Sequence, residues 1–450
     1  MTTVASLTRQ FATREDTVNA LVERQCQRVS DPQGEGSRVF LSLDQDAVRN
    51  AAAQSQARFD ARTARPLEGI AIAIKDLFDV RDEVTAAGSV VLRSHQAAAM
   101  DCPAVARLRT AGAIPFGRSN MVEFAYSGVG INPHYGTPRN AWGREADGGG
   151  RVPGGSTSGG GVAVADGMAV AALGSDTGGS VRIPAALNGI VGFKPTAFRV
   201  PVVGAVPLSF SLDSVGPLAH SVDCCARIDA VLSGETAPLT KADLRGKRFL
   251  MPAATVWQSL DPEVEQGCQR ALEALRDGGA EIVEAPMPTL DEYFARASHL
   301  GLTAPEALDW HQANINLNGV GYDRRVWQRM QLGKDITRSQ YSATLFFRRM
   351  WIDRMNALLA DYDALICPTS ACIAPEIEPL LESDEAFFEA NARILRNTAW
   401  VNFMDGCGLT IPCHPAGTAP VGLQLVGRHG TDRAVLALGA ACEAAIGSVR

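Results

Sequence analysis

Residues 69–75 read Gly-Ile-Ala-Ile-Ala-Ile-Lys, an unbroken apolar run that ends on a lysine. Apolar positions without polar alternation suit a strand covered on both faces. Downstream, residues 101–111 place apolar side chains at helical spacing, and Ala113-Ile114-Pro115-Phe116 predicts a second short strand. Upstream, Val18, Leu21, Val22, Cys26 and Val29 recur at helical spacing, and another helix is predicted over about residues 43–61. Strand–helix–strand alternation around a buried run is the pattern of an α/β layered fold. Farther along, residues 161–174 (GVAVADGMAVAALG) predict a tightly packed helix, and residues 262–276 and 340–360 amphipathic helices. Residues 364–372 and 408–413 read as strand ends meeting loops, and the polar stretch 234–247 as a join between layers. Residues 127–161, dominated by Gly, Pro, Asn and Ser, predict a long loop, which inside a compact domain is functional or disordered.

The composition narrows the class. The 450 residues are 46% hydrophobic and 20% charged, which excludes a disordered chain. That length supports one large domain or two to three ordinary ones. A net charge of -7 argues against a broad nucleic-acid surface. No apolar run reaches the roughly eighteen residues of a membrane span, and no signal-peptide pattern opens the chain. Ten Cys occur without a CxxC pair, which excludes a zinc ribbon and fits buried free thiols in a reducing compartment. The expectation is a cytoplasmic protein with no nucleic-acid or membrane partner.

Two glycine-rich turns carry serines. Ser156 lies in PGGSTSGG and Ser180 in SDTGGSVRIP. A phosphate loop is disfavoured because Gly155 stands where its lysine belongs, and no dinucleotide fingerprint follows a strand. Successive backbone N–H groups at a glycine turn can instead form an anion-binding concavity, as an oxyanion hole requires. Ser180, preceded by Thr177, Gly178 and Gly179, is then a candidate nucleophile in its own oxyanion hole; the competing reading is a linker or helix N-cap.

A serine nucleophile needs a base. None of the histidines (95, 134, 220, 299, 311, 414 and 429) stands in a triad context, and GxSxG is absent around both serines. Arginine stays protonated, but a desolvated lysine can serve. Of five lysines (75, 194, 241, 247 and 334), Lys75 follows directly on the apolar run. It is either a neutral base or a buried cation paired with Asp76 or Asp79.

Taken together, Lys75 after its strand, PGGSTSGG at 153–160 and GSDTGGSVRIPA at 174–185 resemble the amidase signature family. PLEGIAIAIKDLFDV, AGAIPFGRSNMVEFAYS, TPRNAW, GIVGFKPT and SLDSVGPLAHSV agree, over about residues 66–223, and APVGLQLVGR extends a weaker match over roughly 396–428. The resemblance implies a single domain, a twisted mixed β-sheet between helical layers. Residues 62–223 would be its catalytic core, 225–390 a variable, mostly helical pocket region, and 391–450 the return to the core sheet. It further implies Ser180 as nucleophile, Ser156 as bridging serine after a cis peptide, and Lys75 as general base, with no metal or organic cofactor. Ser158 is a possible supporting donor, and Asp176 and Arg182 flank the turn as orienting groups or a structural ion pair.

The family holds both stand-alone amide hydrolases and the glutamine-cleaving subunit of tRNA amidotransferases. In the latter the turn reads GGSIRQPA; here Ile183 takes the Gln position, and YSGVGINPHYG and NFMDGCGLTIPC also depart from that pattern. These departures favour a hydrolase of small carboxamides, anilides or carbamates, acting as a monomer or homodimer, with an apolar acyl or aryl group held by Tyr126, Gly130, Ile131 and Ile183. Residues 300–355 would complete the pocket with some of Trp310, Tyr322, Trp327, Phe346, Phe347 and Trp351, the others being ordinary helix core.

Overall fold

The computed structural model describes residues 3–296, 301–315 and 317–447. Eleven strands form one sheet: β1 Phe40–Ser42, β2 Ala71–Lys75, β3 Ile114–Ser119, β4 Ala171–Asp176, β5 Val191–Lys194, β6 Ser214–Ala219, β7 Arg248–Ala253, β8 Glu281–Pro286, β9 Ala364–Pro368, β10 Cys407–Pro412 and β11 Gly422–Gly427. Their order is β1-β3-β2-β4-β6-β5-β10-β11-β9-β7-β8. The sheet is mixed. β3, β2 and β4 run parallel, as do β9, β7 and β8, and the other pairings are antiparallel. Every residue of β2, β4, β5, β6, β9, β10 and β11 is buried, so helices cover both faces of the sheet centre. Helix Ser158–Ala165 packs on β4 and β2, helix Val222–Ser233 on β6, and helix Asp432–Gly447 on β10 and β11. This is a single α/β domain with a helix-flanked mixed sheet.

The apolar run at 70–74 forms β2 as its composition demands, and helices Val18–Ser30, Gln45–Asp60, Pro103–Thr110, Pro262–Asp277 and Arg338–Leu358 follow the periodicity. Residues 161–174 are different from expectation. The helix starts at Ser158 and ends at Ala165, and β4 begins at Ala171. Gly167, at φ +66°, makes the turn between them, a conformation glycine adopts without steric cost. Both halves are buried all round, so the polar positions that distinguish a helical from an extended period are missing. The long loop accordingly ends before Ser158. Region 225–390 is mostly helical, as expected, and it also supplies β7, β8 and β9, one whole edge of the sheet. All ten cysteines are buried and unpaired. Among the described residues no helix is long and apolar enough to cross a membrane.

Candidate active site

Lys75 ends β2, and Ser175 and Asp176 end the neighbouring parallel strand β4. Parallel strands bring their carboxyl ends to one edge, where α/β sheets gather their ligands. There the Lys75 ammonium nitrogen lies 2.7 Å from Ser156 Oγ, 2.9 Å from Ser175 Oγ and 3.3 Å from the Ser175 carbonyl. Lys75 is fully buried. Burial pushes its pKa down to about 7, against the charges of Asp176 and Asp213, which favour the protonated form. The salt-bridge alternative is not what the chain adopts: Asp76 pairs with Arg118 at 3.3 Å, and Asp79 accepts from Thr85 Oγ1 at 2.6 Å.

Ser156 follows a cis peptide bond at Gly155–Ser156. The loop is pinned on either side: the Gly155 amide donates to the Gly128 carbonyl, and the Val122 amide to the Ser156 carbonyl. Thr157 then ties this loop to the second serine, its hydroxyl donating to the Ser180 carbonyl at 2.5 Å. Ser158 opens the following helix and turns its hydroxyl to the Asn120 carbonyl at 3.4 Å, so its hydrogen bond supports the loop rather than either serine hydroxyl.

The turn carrying Ser180 wraps around the Asp176 carboxylate. Oδ1 accepts from the Gly179 amide at 2.8 Å and Oδ2 from the Val181 amide at 3.1 Å. Arg182 closes the other side, with Nε 3.0 Å from Oδ2 and Nη2 2.9 Å from Oδ1. Burial by itself would raise the Asp176 pKa, but Arg182 outweighs it and holds the carboxyl well below its ordinary range. The guanidinium is in turn held by Gln424 Oε1 and Asn402 Oδ1, each at 2.7 Å, and by the Thr398 carbonyl. Thr398 Oγ1 donates to the Gly178 carbonyl at 2.6 Å. Asp176 and Arg182 therefore hold the turn as one buried unit. The Gly179 amide is committed to Asp176, which leaves the amides of Thr177, Gly178 and Ser180 for an incoming oxyanion. Thr177 is anchored from its far end, where Oγ1 donates to Asp213 Oδ1 at 2.5 Å. Burial pushes Asp213 up to about 6, against hydrogen bonds from Thr177 and the Ser209 and Leu208 amides.

Thr177, Gly178 and Ser180 line a cavity of about 380 Å³. Its other walls include Tyr126, Ser127, Leu208, Leu212, Tyr293, Leu302, Arg329, Leu395 and Phe403. Tyr126 thus lies where a substrate contact was expected. Gly130, Ile131 and Ile183 do not. Ile131 and Ile183 are buried in a cluster with Val129, Val152 and Leu187 behind the loop. Its amide bonds the Gly179 carbonyl at 2.7 Å, and its side chain packs against Gly154 and Gly179 under the turn. Gly130, at φ +101°, passes so close to Gly154 that a Cβ would lie 2.6 Å from its carbonyl oxygen. Residues 301–304, Arg329 and Leu332 do reach the cavity, but the six aromatics of that region are elsewhere. Trp351 is buried against Tyr293 and Phe403, Tyr322 packs on Trp327 and His311, and Phe346 is exposed. Among the described residues the rings lining the cavity are Tyr126, Tyr293 and Phe403.

Among the described residues neither serine hydroxyl takes a histidine partner; His311 bonds Tyr322, and His134 bonds Glu123. His299 lies outside the described residues. No group of His, Cys, Asp or Glu side chains among them is set to hold a metal. A more open hollow of about 570 Å³, bordered by Phe198, Arg199, His429 and Asp432, carries none of the candidate residues. Asp213, Thr398, Asn402 and Gln424 do not stand out from the sequence, and Ser175, though inside GSDTGGSVRIPA, is not singled out there. Asp213 and Gln424 do fall inside the stretches SLDSVGPLAHSV and APVGLQLVGR, over which the family resemblance runs and could have marked them.

A family model described as Amidase matches residues 20–436. The 2-amino-5-chloromuconic acid deaminase of Comamonas testosteroni is 34% identical over 419 residues, spanning 91% of this chain and 88% of the relative. A glutamyl-tRNA(Gln) amidotransferase subunit from Streptococcus pneumoniae (strain 70585) is 30% identical, spanning 98% of this chain and 96% of that protein. A crystal structure of an amidase superposes with a TM-score of 0.87 at 33% identity, covering 98% of this chain and 99% of the other.

Proposed function

The chain belongs to the amidase signature family, whose members cleave C–N bonds, and we propose that it is a stand-alone hydrolase of small-molecule amides. The observation that carries this reading is the 2.7 Å hydrogen bond from buried Lys75 to Ser156, beside a cavity lined by Ser180. With its pKa near 7, Lys75 is substantially neutral at physiological pH. Neutral Lys75 takes the Ser156 hydroxyl proton, and Ser156 takes the proton of Ser180. The Ser180 Oγ–carbonyl bond forms, and the amides of Thr177, Gly178 and Ser180 receive the oxyanion. Removing one such donor costs about 3–4 kcal/mol in comparable sites. The relay then returns a proton to the amine nitrogen as the C–N bond breaks. Water, activated the same way, cleaves the acyl-enzyme and restores Ser180. The same steps cleave an anilide or a carbamate, so the relay leaves the choice among them to the cavity walls.

The identity to a tRNA amidotransferase component supports a second reading, glutamine cleavage. Glutamine brings an α-ammonium group, and among the described residues no Asp or Glu lines the cavity to receive it. That favours the hydrolase. Purified chain offered aliphatic amides, aryl anilides, aryl carbamates and glutamine separates the two. Release of amine from the synthetic amides, abolished in Ser180→Ala together with fluorophosphonate labelling, is expected. Turnover of glutamine alone would transfer the assignment to the amidotransferase reading.

A further inference from the structure

One buried carboxylate near the site has no part in the relay. Glu306, on the helix Thr303–Asn314, is 1% exposed. Its Oε2 accepts from Ser209 Oγ at 2.6 Å and from the Ser211 amide at 3.0 Å, and its Oε1 accepts from the Tyr341 hydroxyl at 2.7 Å. Among the described residues these three donors, rather than a cation, meet its charge. Ser209 and Ser211 belong to the loop between β5 and β6, whose Leu208 and Leu212 line the cavity beside Ser180. The first turn of the Glu306 helix supplies Thr303 and Ala304 to the same cavity, next to Leu302. Tyr341 stands on a third element, the helix Arg338–Leu358. One side chain thus joins two cavity walls to each other and to the helix that anchors them.

Resting on the hydrolase reading, we infer that Glu306 is a positioning residue that fixes the separation of these two walls and so selects amides by the bulk of their substituents. A carboxylate is costly to bury and persists only with its oxygens hydrogen-bonded. Those bonds have a set length and direction, whereas apolar contact carries none and would let the walls slide. The loop does not rest on Glu306 alone. Asp213 Oδ2 accepts from the Leu208 and Ser209 amides at 3.0 and 3.2 Å, and Arg348 Nη2 donates to the Ser211 carbonyl at 3.1 Å. The path of the loop and the anchor of Thr177 on Asp213 therefore survive in a Glu306 variant. What such a variant loses is the spacing of Leu208 and Leu212 against residues 302–304. An amide small enough to occupy only the space at Ser180 does not feel that spacing, and an amide with aryl groups on both sides does.

Two amides of different bulk test this. The reference is the ratio of kcat/KM for phenylacetanilide to that for acetamide in the wild-type chain. Glu306→Met should lower this ratio roughly 10-fold or more, the span of a lost apolar contact in a pocket. The loss should lie in KM for phenylacetanilide, with kcat for acetamide little changed. Glu306→Gln should restore most of the ratio, because its carbonyl can accept from the loop while its NH2 donates to the Tyr341 oxygen. Ser209→Ala removes one tie and no charge; it should shift the ratio the same way by less, and it carries the test where Glu306→Met does not fold. Calorimetric titration with phenylacetamide should show the same weakening when either substitution is added to Ser180→Ala. An equal fall for both amides, or a ratio unchanged in Glu306→Met and Ser209→Ala, would overturn the positioning role and leave the hydrolase standing. Weakened phenylacetamide binding in variants of a chain that releases no amine and resists fluorophosphonate would overturn the hydrolase and leave the positioning role standing.

Discussion

The acid limb of the pH–rate profile measures the environment of Lys75 directly. Burial among Ser156, Ser175 and the end of β4 brings its pKa from 10.5 to about 7. The base is competent only when neutral, so the sign is fixed: activity rises with pH through that value and falls below it. For one titrating group at about 7, kcat/KM is halved at pH 7, drops to about a tenth at pH 6 and to about a hundredth at pH 5. The assay is initial-rate amine release from an aryl anilide between pH 5 and 9, with stability checked by re-assay at pH 8. Asp213 and Asp176 both favour protonated Lys75. Asp213→Asn, which removes one charge and keeps a side chain that can accept from Thr177, should therefore move the limb to lower pH. Lys75→Arg should be inactive throughout, since a guanidinium supplies no neutral base. A rate independent of pH down to 5, or normal turnover by Lys75→Arg, would remove Lys75 from the mechanism.

Two further outcomes test the turn. Arg182→Met strands the Asp176 carboxylate in a site where both side chains are fully buried, and should cost about 3–5 kcal/mol in urea unfolding at pH 7; a loss under 1 kcal/mol would mean that the pair does not clamp the turn. Gly179→Ala places a Cβ 2.2 Å from Thr398 Oγ1 and 2.5 Å from Ile183 Cδ1 at φ +134°; it should lower kcat about 100-fold or more with KM less affected, the size of losing one oxyanion donor, and wild-type kcat would show that the turn tolerates displacement.

What was legible in the chain was local. The run at 70–74 suits a covered strand, and Lys75 at its end is placed to begin in a buried position. The two glycine-rich serine turns likewise marked residues now found around one edge of the sheet. Three kinds of information were not local. Whether Ile183 faces the cavity or the core depends on how the turn at 177–182 winds onto the helix that follows, which no residue pattern expresses. The buried segment 158–176 shows no periodicity because no face of it is wet, so its division into helix and strand rests on the turn at Gly167. And the partners of Arg182 (Thr398, Asn402 and Gln424) lie more than 200 residues away, joined to it only because β10 and β11 insert into the middle of the sheet.

That insertion also sets when the chain can become reactive. Synthesis delivers Lys75, Ser156 and Ser180 more than 200 residues before Thr398, Asn402 and Gln424, the distant groups that grip Arg182 and the Gly178 carbonyl. A nascent or truncated chain holds every reacting atom without the frame that aims them. On the proposed mechanism, nucleophilic competence then waits for those distant groups, and a labelling reagent aimed at Ser180 should count folded molecules rather than synthesised ones.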